Sequence, residues 1–379
     1  MKNQISAKIV TDSINKKGDR ITTMEVVMPR FILAEFNTHR LFTRNSASSR
    51  AIPFKKMVEM VKNNPFIPIA WQKDHSGMQG TEYFEGWKAK VLELAWRAGA
   101  KTAVFAATKL HKLGLTKQLC NRILEPFMYH KVLVTFTETE NFFNLRCPQY
   151  EMGRKINHQP EEILYFKSKK DYIREWNEGF QNDPRHTSFI ENTSELEWLK
   201  VNKGMGEIHI MDLAEKMWDA MNESTPVKLK AGEWHIPYGE KLFSNEDFYN
   251  FFLNNTDKNW LTAEMHDEAL DEMAVKIAIA RCARLSYQTL GDNPKIDYEA
   301  DLKLFNILKD SGHFSPFEHV AKCMSKEEYR NFIKGKVVED NWKMYDKGAV
   351  QLNCSVNHEQ QGWCGNFKGF IQYRYTLES

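Results

Sequence analysis

The feature that most constrains the fold of this chain is a polar window, residues 36–51, that directly follows a strongly apolar run over residues 24–36. The window carries three arginines, one histidine and several hydroxyl side chains among small residues. Arginine donates bidentately to phosphate oxygens, and small residues let backbone N–H groups approach an anion. The window therefore predicts a local site for a phosphate monoester or diphosphate. The alternative is a solvated polar loop that leads into a helix.

Composition requires any polyanion site to be local. The chain has 379 residues, of which 42% are hydrophobic, so one large domain or two packed domains can bury a sizeable core. Lysine and arginine total 52 against 50 acidic residues, and the formal charge of +2 provides no overall basic field. We therefore expect no stable nucleic-acid partner.

Cysteine usage and hydropathy predict a cytoplasmic protein. The six cysteines include no Cys-x-x-Cys pair, which fits free thiols in a reducing cytosol better than a disulfide framework. Cys354, His358 and Cys364 are close in sequence, but their spacing matches no standard zinc pattern, so we expect no metal. Residues 1–19 lack the apolar core of a signal peptide, and no apolar run is long enough to cross a membrane.

Hydrophobic periodicity predicts an α+β fold. Alternating apolar residues and turn signals predict strands over residues 5–14, 21–36, 131–139 and 366–378. Helical spacing predicts helices over residues 83–113, 207–221, 272–287 and 302–310, and one more from Thr116. The first of these helices is expected to break near Gly99 and end at Gly114. In the helix over 272–287, Arg281 and Arg284 are expected to face outward.

Two single residues could have either a functional or a structural role. Arg146 closes an apolar patch, and a charged group there is costly unless it is paired or meets a ligand. A ligand-facing arginine and a salt-bridged structural arginine both satisfy that condition. His235 lies in an aromatic turn, where it could be catalytic or could hold a structural hydrogen bond.

Taken together, these pieces resemble the flavin-dependent thymidylate synthases, the ThyX family. The family signature is Arg-His-Arg, two residues, Ser, any residue, Asn, two residues, Ser, any residue, Arg. The residues of this chain at those spacings are Thr38, His39, Arg40, Thr43, Asn45, Ser48 and Arg50. Thr38 replaces the first arginine and Thr43 the first serine. Ser46 stands where the family often has Glu, and Glu35 where it often has Gln.

Further blocks extend the resemblance, but in an unusual order. They are Arg122-Ile123-Leu124 before Pro126, residues 141–146 ending in Asn-Leu-Arg, Gly206-Glu207-Ile208, residues 283–287 and residues 312–319. The last block, with its Ser-Pro-Phe-Glu-His sequence, precedes the signature in the family and follows it here. The chain therefore resembles a long, bacteriophage-type variant with circularly permuted motif order.

The resemblance implies a mixed sheet flanked by long helices, in a permuted chain with an inserted segment. The implied parts are a core over 1–147, an insertion over 148–205, a helix with a Gly-Glu-Trp-His turn over 206–245, and a permuted N-terminal-like part over 246–379. A homo-oligomer, either a tetramer or a dimer, is also implied.

The resemblance further implies an FAD-dependent thymidylate synthase that reductively methylates dUMP to dTMP. Methylenetetrahydrofolate and NADPH would be co-substrates, and no cysteine nucleophile would be needed. The implied FAD and folate residues are His39, Arg40, Asn45, Asn141, His313, Ser315, Glu318 and His319. The implied dUMP residues are Ser46, Ser48, Ser49, Arg50, Arg122, Gln372 and Glu35. Arg146 would be catalytic, since a guanidinium facing the uracil ring stabilises the ring ionised at N3.

Three questions stay open at this point. The product could be hydroxymethylated, or the substrate could be another pyrimidine monophosphate. The chain could instead be an inactive homologue that only binds a nucleotide. Because an acid at Glu35 would repel a phosphate, we also hypothesise that Gln372 takes the place of the family glutamine.

Overall fold

A computed structural model describes residues 4–76, 80–154, 162–179, 193–239, 242–256, 263–286, 297–333, 342–345, 348–351 and 361–378. The strands are β1 (Ser6–Ile14), β2 (Arg20–Pro29), β3 (Thr43–Ser46), β4 (Tyr129–Phe136), β5 (Tyr150–Arg154), β6 (Glu162–Phe166), β7 (Val227–Lys228), β8 (Trp234–His235), β9 (Ala321–Cys323), β10 (Trp342–Tyr345), β11 (Gly348–Gln351), β12 (Trp363–Cys364), β13 (Phe367–Lys368) and β14 (Phe370–Gln372).

The helices are α1 (Leu33–Phe36), α2 (Phe54–Asn63), α3 (Gly86–Lys112), α4 (Lys117–Leu124), α5 (Glu140–Arg146), α6 (Lys169–Gly179), α7 (Glu195–Val201), α8 (Ile208–Glu223), α9 (Glu246–Asn255), α10 (Ala263–Ser286), α11 (Tyr298–Asp310), α12 (Lys326–Asn331) and α13 (Tyr373–Glu378). Short 3-10 turns cover Arg30–Ile32, Glu125–Phe127 and Ser315–His319. None of the helices in this described part is long and apolar enough to span a membrane.

The main sheet is mixed, as the expected α+β fold requires. Its strand order is β3-β4-β2-β1-β7, with β7 parallel to β1 and the other neighbours antiparallel. Successive side chains of a strand point to opposite faces, so the sheet can pack against helices on both sides. Val132 and Val134 share a core with α8, whereas Leu133 packs with Cys282 and Leu285 of α10. The α+β prediction is confirmed.

A smaller sheet joins distant parts of the chain. Its antiparallel order is β14-β9-β8, so the C-terminal strand pairs with residues that follow the Ser315–His319 turn. Pairing over such sequence distances is decided by tertiary packing and not by local propensity. The four-part division of the chain stays a prediction.

Two of the predicted strands are shorter than expected. Strand β2 ends at Pro29, because proline has no N–H for the ladder, and the chain continues as a 3-10 turn and α1. The predicted strand over 366–378 contains β13 and β14, but Tyr373–Glu378 is helical. These two helical segments matter for the candidate site, since α1 and the start of α13 carry side chains that lie at that site.

Helix α3 is continuous through Gly99, contrary to the expected break. It ends before Gly114, whose φ of +90° is the left-handed conformation that favours glycine at this position. Its buried side is formed by small residues such as Ala103 and Ala107, which pack against α2 and α4. The larger apolar residues Trp87, Val91, Leu94 and Phe105 are exposed.

A buried polar chain connects the main sheet to the segments that follow it in sequence. Its five side chains, in order of contact, are Ser13, His235, Thr23, Thr135 and His319, with each neighbouring pair 2.7–2.9 Å apart. Burial lowers the pKa of both histidines to about 3, so both are neutral. Of the two roles considered for His235, catalysis and a structural hydrogen bond, its buried position supports the structural one.

Candidate functional site

The signature segment is folded back on itself by Arg44. The guanidinium Nη1 donates to the carbonyl oxygens of Phe36, at 3.2 Å, and His39, at 2.9 Å. These contacts connect the end of α1 to β3 and hold the intervening turn. Burial lowers the pKa of Arg44, which shows that the charged group sits partly out of water. The backbone carbonyl oxygen of Arg44 also accepts a hydrogen bond from Ser315 Oγ at 3.4 Å, and this contact connects the Ser315–His319 turn to the same segment.

His39 packs among aromatic side chains and is hydrogen-bonded to Arg146. Arg146 Nε donates to His39 Nε2 at 3.2 Å. The His39 ring is 9% exposed and lies edge-to-face on Phe142, with 4.8 Å between ring centroids. Burial, and then the charges of Arg146 and Arg44, lower the pKa of His39 to about 4. A neutral His39 can accept this bond, which orients the guanidinium of Arg146.

An arginine-lined cavity of about 360 Å³ lies beside the signature segment. Its lining residues are Arg40, Phe42, Thr43, Arg44, Glu318, Gly365, Asn366, Gln372, Arg374 and Tyr375. Gln372 Nε2 donates to Thr43 Oγ1 at 3.2 Å and to Asn366 Oδ1 at 2.7 Å. Arg374 Nη1 pairs with Glu318 Oε1 at 2.6 Å, so the acidic group of the cavity is neutralised. The remaining charges suit an anionic ligand.

The predicted phosphate arm, residues 46–50, lies against α4. Asn121 is fully buried, and its Nδ2 donates to the carbonyl oxygens of Ser49, at 2.7 Å, and Ile52, at 3.1 Å. The same helix carries Arg122, which is exposed like Arg50. Exposed guanidinium groups on these two adjoining segments are the donor type that suits a phosphate.

We expect Asn121→Ala to loosen this arm. The substitution removes two buried hydrogen bonds, so the free energy of unfolding should fall by about 1–3 kcal/mol, measured by urea denaturation. Affinity for a nucleoside monophosphate should fall as well. Gln118→Ala, an exposed position on the same helix, is the matched control. An unchanged nucleotide affinity in Asn121→Ala would show that the arm does not bind the phosphate.

The structure brings some predicted residues together and separates others. Arg40, Glu318 and Gln372 line one cavity, and His39 meets Arg146. Asn141 and His313 are exposed. Asn45 is 6% exposed and donates to the carbonyl oxygen of Cys282 at 2.7 Å, so its amide supports β3 on α10.

The surroundings of His319 are those of the core, so they do not support its assignment to the flavin pocket, which stays a prediction. Its ring is 0% exposed, its Nδ1 bonds Thr135, and it belongs to the buried polar chain of the core. The proposed replacement of Glu35 by Gln372 is also not supported by their surroundings. Gln372 contacts Thr43 and Asn366 in the cavity, whereas the charged neighbours of Glu35 are Glu207, Arg146 and His209.

Sequence reasoning missed Thr43, Arg44, Asn366 and Arg374 as site residues. Thr43 and Arg44 lie within the polar window, so their residue types were a usable signal. Asn366 had no such signal, because its contacts to Leu41 O and Thr43 Oγ1 join positions more than 320 residues apart. Cys354 and His358 lie outside the described residues, and within those residues no group of three His, Cys, Asp or Glu side chains could hold a metal.

Comparison with known proteins finds distant similarity to solved structures. No protein-family model and no curated protein matches the chain. Among solved structures, the UMP/dUMP methylase PolB from Streptomyces cacaoi bound with 5-Br UMP is 15% identical, with a TM-score of 0.31 over 38% of this chain and 78% of that chain. The same methylase bound with 5-Br dUMP is 11% identical, with a TM-score of 0.32 over 50% of this chain and 96% of that chain. Similarity at this level determines neither the family nor the substrate of this chain.

Proposed function

We propose that the protein is a flavin-dependent enzyme that methylates C5 of a pyrimidine nucleoside monophosphate. The observation that best supports this proposal is the contact between His39 of the signature segment and Arg146 of the Asn-Leu-Arg block. These two motifs are 107 positions apart. The contact brings the guanidinium of Arg146 to the signature segment, which also borders the arginine-lined cavity and contains residues 46–50, and this arrangement supports the proposal.

Arg146 acts on the base in this proposal. Its planar guanidinium is held by His39, whose own ring packs on Phe142, and a charge that is partly shielded from water interacts strongly with a ring that gains negative charge. Neither terminal nitrogen of this guanidinium has a hydrogen-bond partner among the described residues, so both can donate to ring acceptors. Ser48, Ser49 and Arg50 then hold the phosphate.

The cavity fits part of a flavin dinucleotide. Arg40 and Arg44 offer donors for a diphosphate, and the ion pair of Glu318 with Arg374 removes the repulsion that a free carboxylate would cause. A volume of about 360 Å³ accommodates one portion of the cofactor. When bound, reduced FAD would supply the hydride, with methylenetetrahydrofolate as the one-carbon donor and NADPH as the reductant.

A cysteine nucleophile is not supported by the described thiols. Cys120, Cys147, Cys282, Cys323 and Cys364 are all buried. Burial raises the pKa of Cys323 and Cys364 to about 11, and raises the pKa of Cys147 and Cys282 further. Since the thiolate is the nucleophilic form, these residues are poorly suited to attack a substrate.

The test combines flavin binding with product analysis. The purified protein is mixed with FAD, and the visible flavin absorbance that remains after desalting is recorded. It is then incubated with methylenetetrahydrofolate, NADPH and dUMP, and products are identified by mass spectrometry. We expect bound flavin and a C5-methylated nucleotide. A hydroxymethylated product would favour the alternative transferase, and a nucleotide-binding protein without flavin or product would favour the inactive homologue.

A further inference from the structure

Hydrogen bonds fix the orientation of the Gln372 side-chain amide at the wall of the cavity. Asn366 contacts the backbone carbonyl oxygen of Leu41 at 3.0 Å, and a carbonyl oxygen only accepts, so the Asn366 atom there is the donor Nδ2. The other amide atom, Asn366 Oδ1, is then an acceptor and meets Gln372 at 2.7 Å. The Gln372 atom at that contact is therefore the donor Nε2, which also donates to Thr43 Oγ1 at 3.2 Å.

This orientation leaves the amide oxygen of Gln372, Oε1, as an acceptor without a donor. Both hydrogen bonds of the side chain are made by Nε2, and Oε1 accepts none from the described residues. Gln372 is 3% exposed and lines the cavity, and its Oε1 is not closed off from solvent. A polar oxygen of a nearly buried side chain is costly to leave without a partner. Gln372 Oε1 is therefore placed to accept a hydrogen bond from a ligand in the cavity.

Gly365 keeps space open beside this oxygen. Its φ is +60°, a left-handed conformation that favours glycine. A Cβ atom at this position would lie 3.2 Å from Gln372 Oε1 and 2.8 Å from the hydroxyl oxygen of Tyr375. Any other residue would therefore crowd the acceptor as well as strain the backbone, whereas glycine leaves room for a ligand atom.

The cavity also offers cationic donors that have no partner. Arg40 has no hydrogen bond or ion pair within the described part of the chain. Arg44 bonds backbone carbonyl oxygens through Nη1 alone, so its Nε and Nη2 have no partner among the same residues. A diphosphate suits the two arginines, because it presents several acceptors. The diphosphate of a dinucleotide has no donor, so the donor for Gln372 must belong to a neighbouring group of the same molecule.

Resting on the proposed function, we infer that Gln372 Oε1 accepts a hydrogen bond from a sugar hydroxyl next to the diphosphate of the flavin dinucleotide. Both halves of such a molecule carry hydroxyls a few bonds from the diphosphate, on the ribityl chain and on the ribose. The N–H groups of the two ring systems lie farther away, and a cavity of about 360 Å³ holds one portion of the molecule. This role differs from the dUMP contact that the family resemblance implies for Gln372.

The test compares FAD with analogues that lack single sugar hydroxyls or pairs of them, and it measures binding independently of turnover. Dissociation constants are determined by flavin fluorescence for FAD, 4′-deoxy-FAD and FAD whose ribose lacks the 2′- and 3′-hydroxyls. The full-length wild type and Gln372→Met are compared. Removal of the hydroxyl that meets Oε1 should weaken binding to wild type by about 3- to 10-fold. Methionine has no amide oxygen, so the same removal should change the affinity of Gln372→Met by less than about 2-fold.

A purely structural role of Gln372 would give a different result. Gln372→Met also loses the bonds to Thr43 and Asn366, and that loss should weaken binding of all three ligands equally. Gln118→Met, at an exposed position of α4, is the control and should show the wild-type pattern. If Gln372→Met does not fold, Gln372→Glu takes its place. A carboxylate oxygen still accepts, so the dependence on the hydroxyl should persist although overall affinity for the diphosphate falls.

The outcomes separate this inference from the proposed function. A loss specific to 4′-deoxy-FAD in wild type would identify the ribityl hydroxyl as the donor, and a loss specific to the other analogue would identify the ribose. Equal affinities in wild type, or equal losses in wild type and Gln372→Met, would overturn the inference, while a C5-methylated product would still support the proposed function. A hydroxyl dependence that requires Gln372, without methylated product, would support the inference and count against the methyltransferase. Failure of FAD to bind would contradict both.

Discussion

Replacement of Arg146 by lysine is expected to lower nucleotide turnover by about 10²- to 10³-fold, with little change in stability. Lysine lacks the planar fork and the Nε–H that Arg146 donates to His39 at 3.2 Å. A flexible ammonium would therefore neither be held by His39 nor meet two ring acceptors at once. The measurement is kcat with saturating nucleotide and flavin, together with the thermal unfolding midpoint.

The matched control is Arg97→Lys on α3, where Arg97 pairs with Glu93 on the surface and is not among the residues that line the cavity. We expect wild-type turnover in that variant. If Arg146→Lys kept its turnover, Arg146 would have no role in activating the ring. If it lost both turnover and fold, Arg146→Gln would separate the two effects, since glutamine keeps much of the packing without the charge.

Asp301→Ala is expected to cost about 1.5–3 kcal/mol of stability, because it removes the buried carboxylate that accepts from two partly buried arginines. Asp301 is 3% exposed and accepts from Arg284 Nε at 2.5 Å and from Arg281 Nε at 3.4 Å. The expectation that both arginines face outward was therefore wrong: they join α10 to α11. The free energy of unfolding, measured by chemical denaturation, should fall by this amount.

Asp310→Ala provides the control for this prediction, since Asp310 is exposed at the end of the same helix. Its effect should stay within about 0.5 kcal/mol. An equally small effect in Asp301→Ala would mean that the two arginines find water or other acceptors, and that the ion pairs do not hold the helices together. Flavin and nucleotide binding by the folded fraction should be retained, because among the described residues the hydrogen bonds of the Asp301 carboxylate go to Arg281 and Arg284, which do not line the cavity.

Much of the fold could be predicted from periodicity alone. Strand β1 and helix α8 lie close to their expected positions, and β2 begins close to where it was expected, because alternation and a 3.6-residue stripe report directly on one-sided burial. Exposure within α3 was not predictable in this way. Its Ala-rich side and its large apolar side both have helical spacing, and only packing against α2 and α4 decides which is buried.

The candidate site was predictable in its chemistry but not in its geometry. Residue types in the polar window indicated an anion site, and the Asn-Leu-Arg block indicated a functional Arg146. No pattern in the sequence shows that Asn366 bonds Thr43, or that Glu35 lies beside Arg146 and away from Gln372. Those relations depend on how separate segments pack.

Histidines illustrate the division between sequence and tertiary structure. The sequence by itself determined that His39 and His319 belong to motifs rich in polar and functional residue types. Only the tertiary structure decided that His39 meets Arg146 beside the cavity while His319 lies in the core. The physical reason is that local sequence sets backbone conformation and side-chain chemistry, whereas burial and hydrogen-bond partners come from residues far apart in the chain.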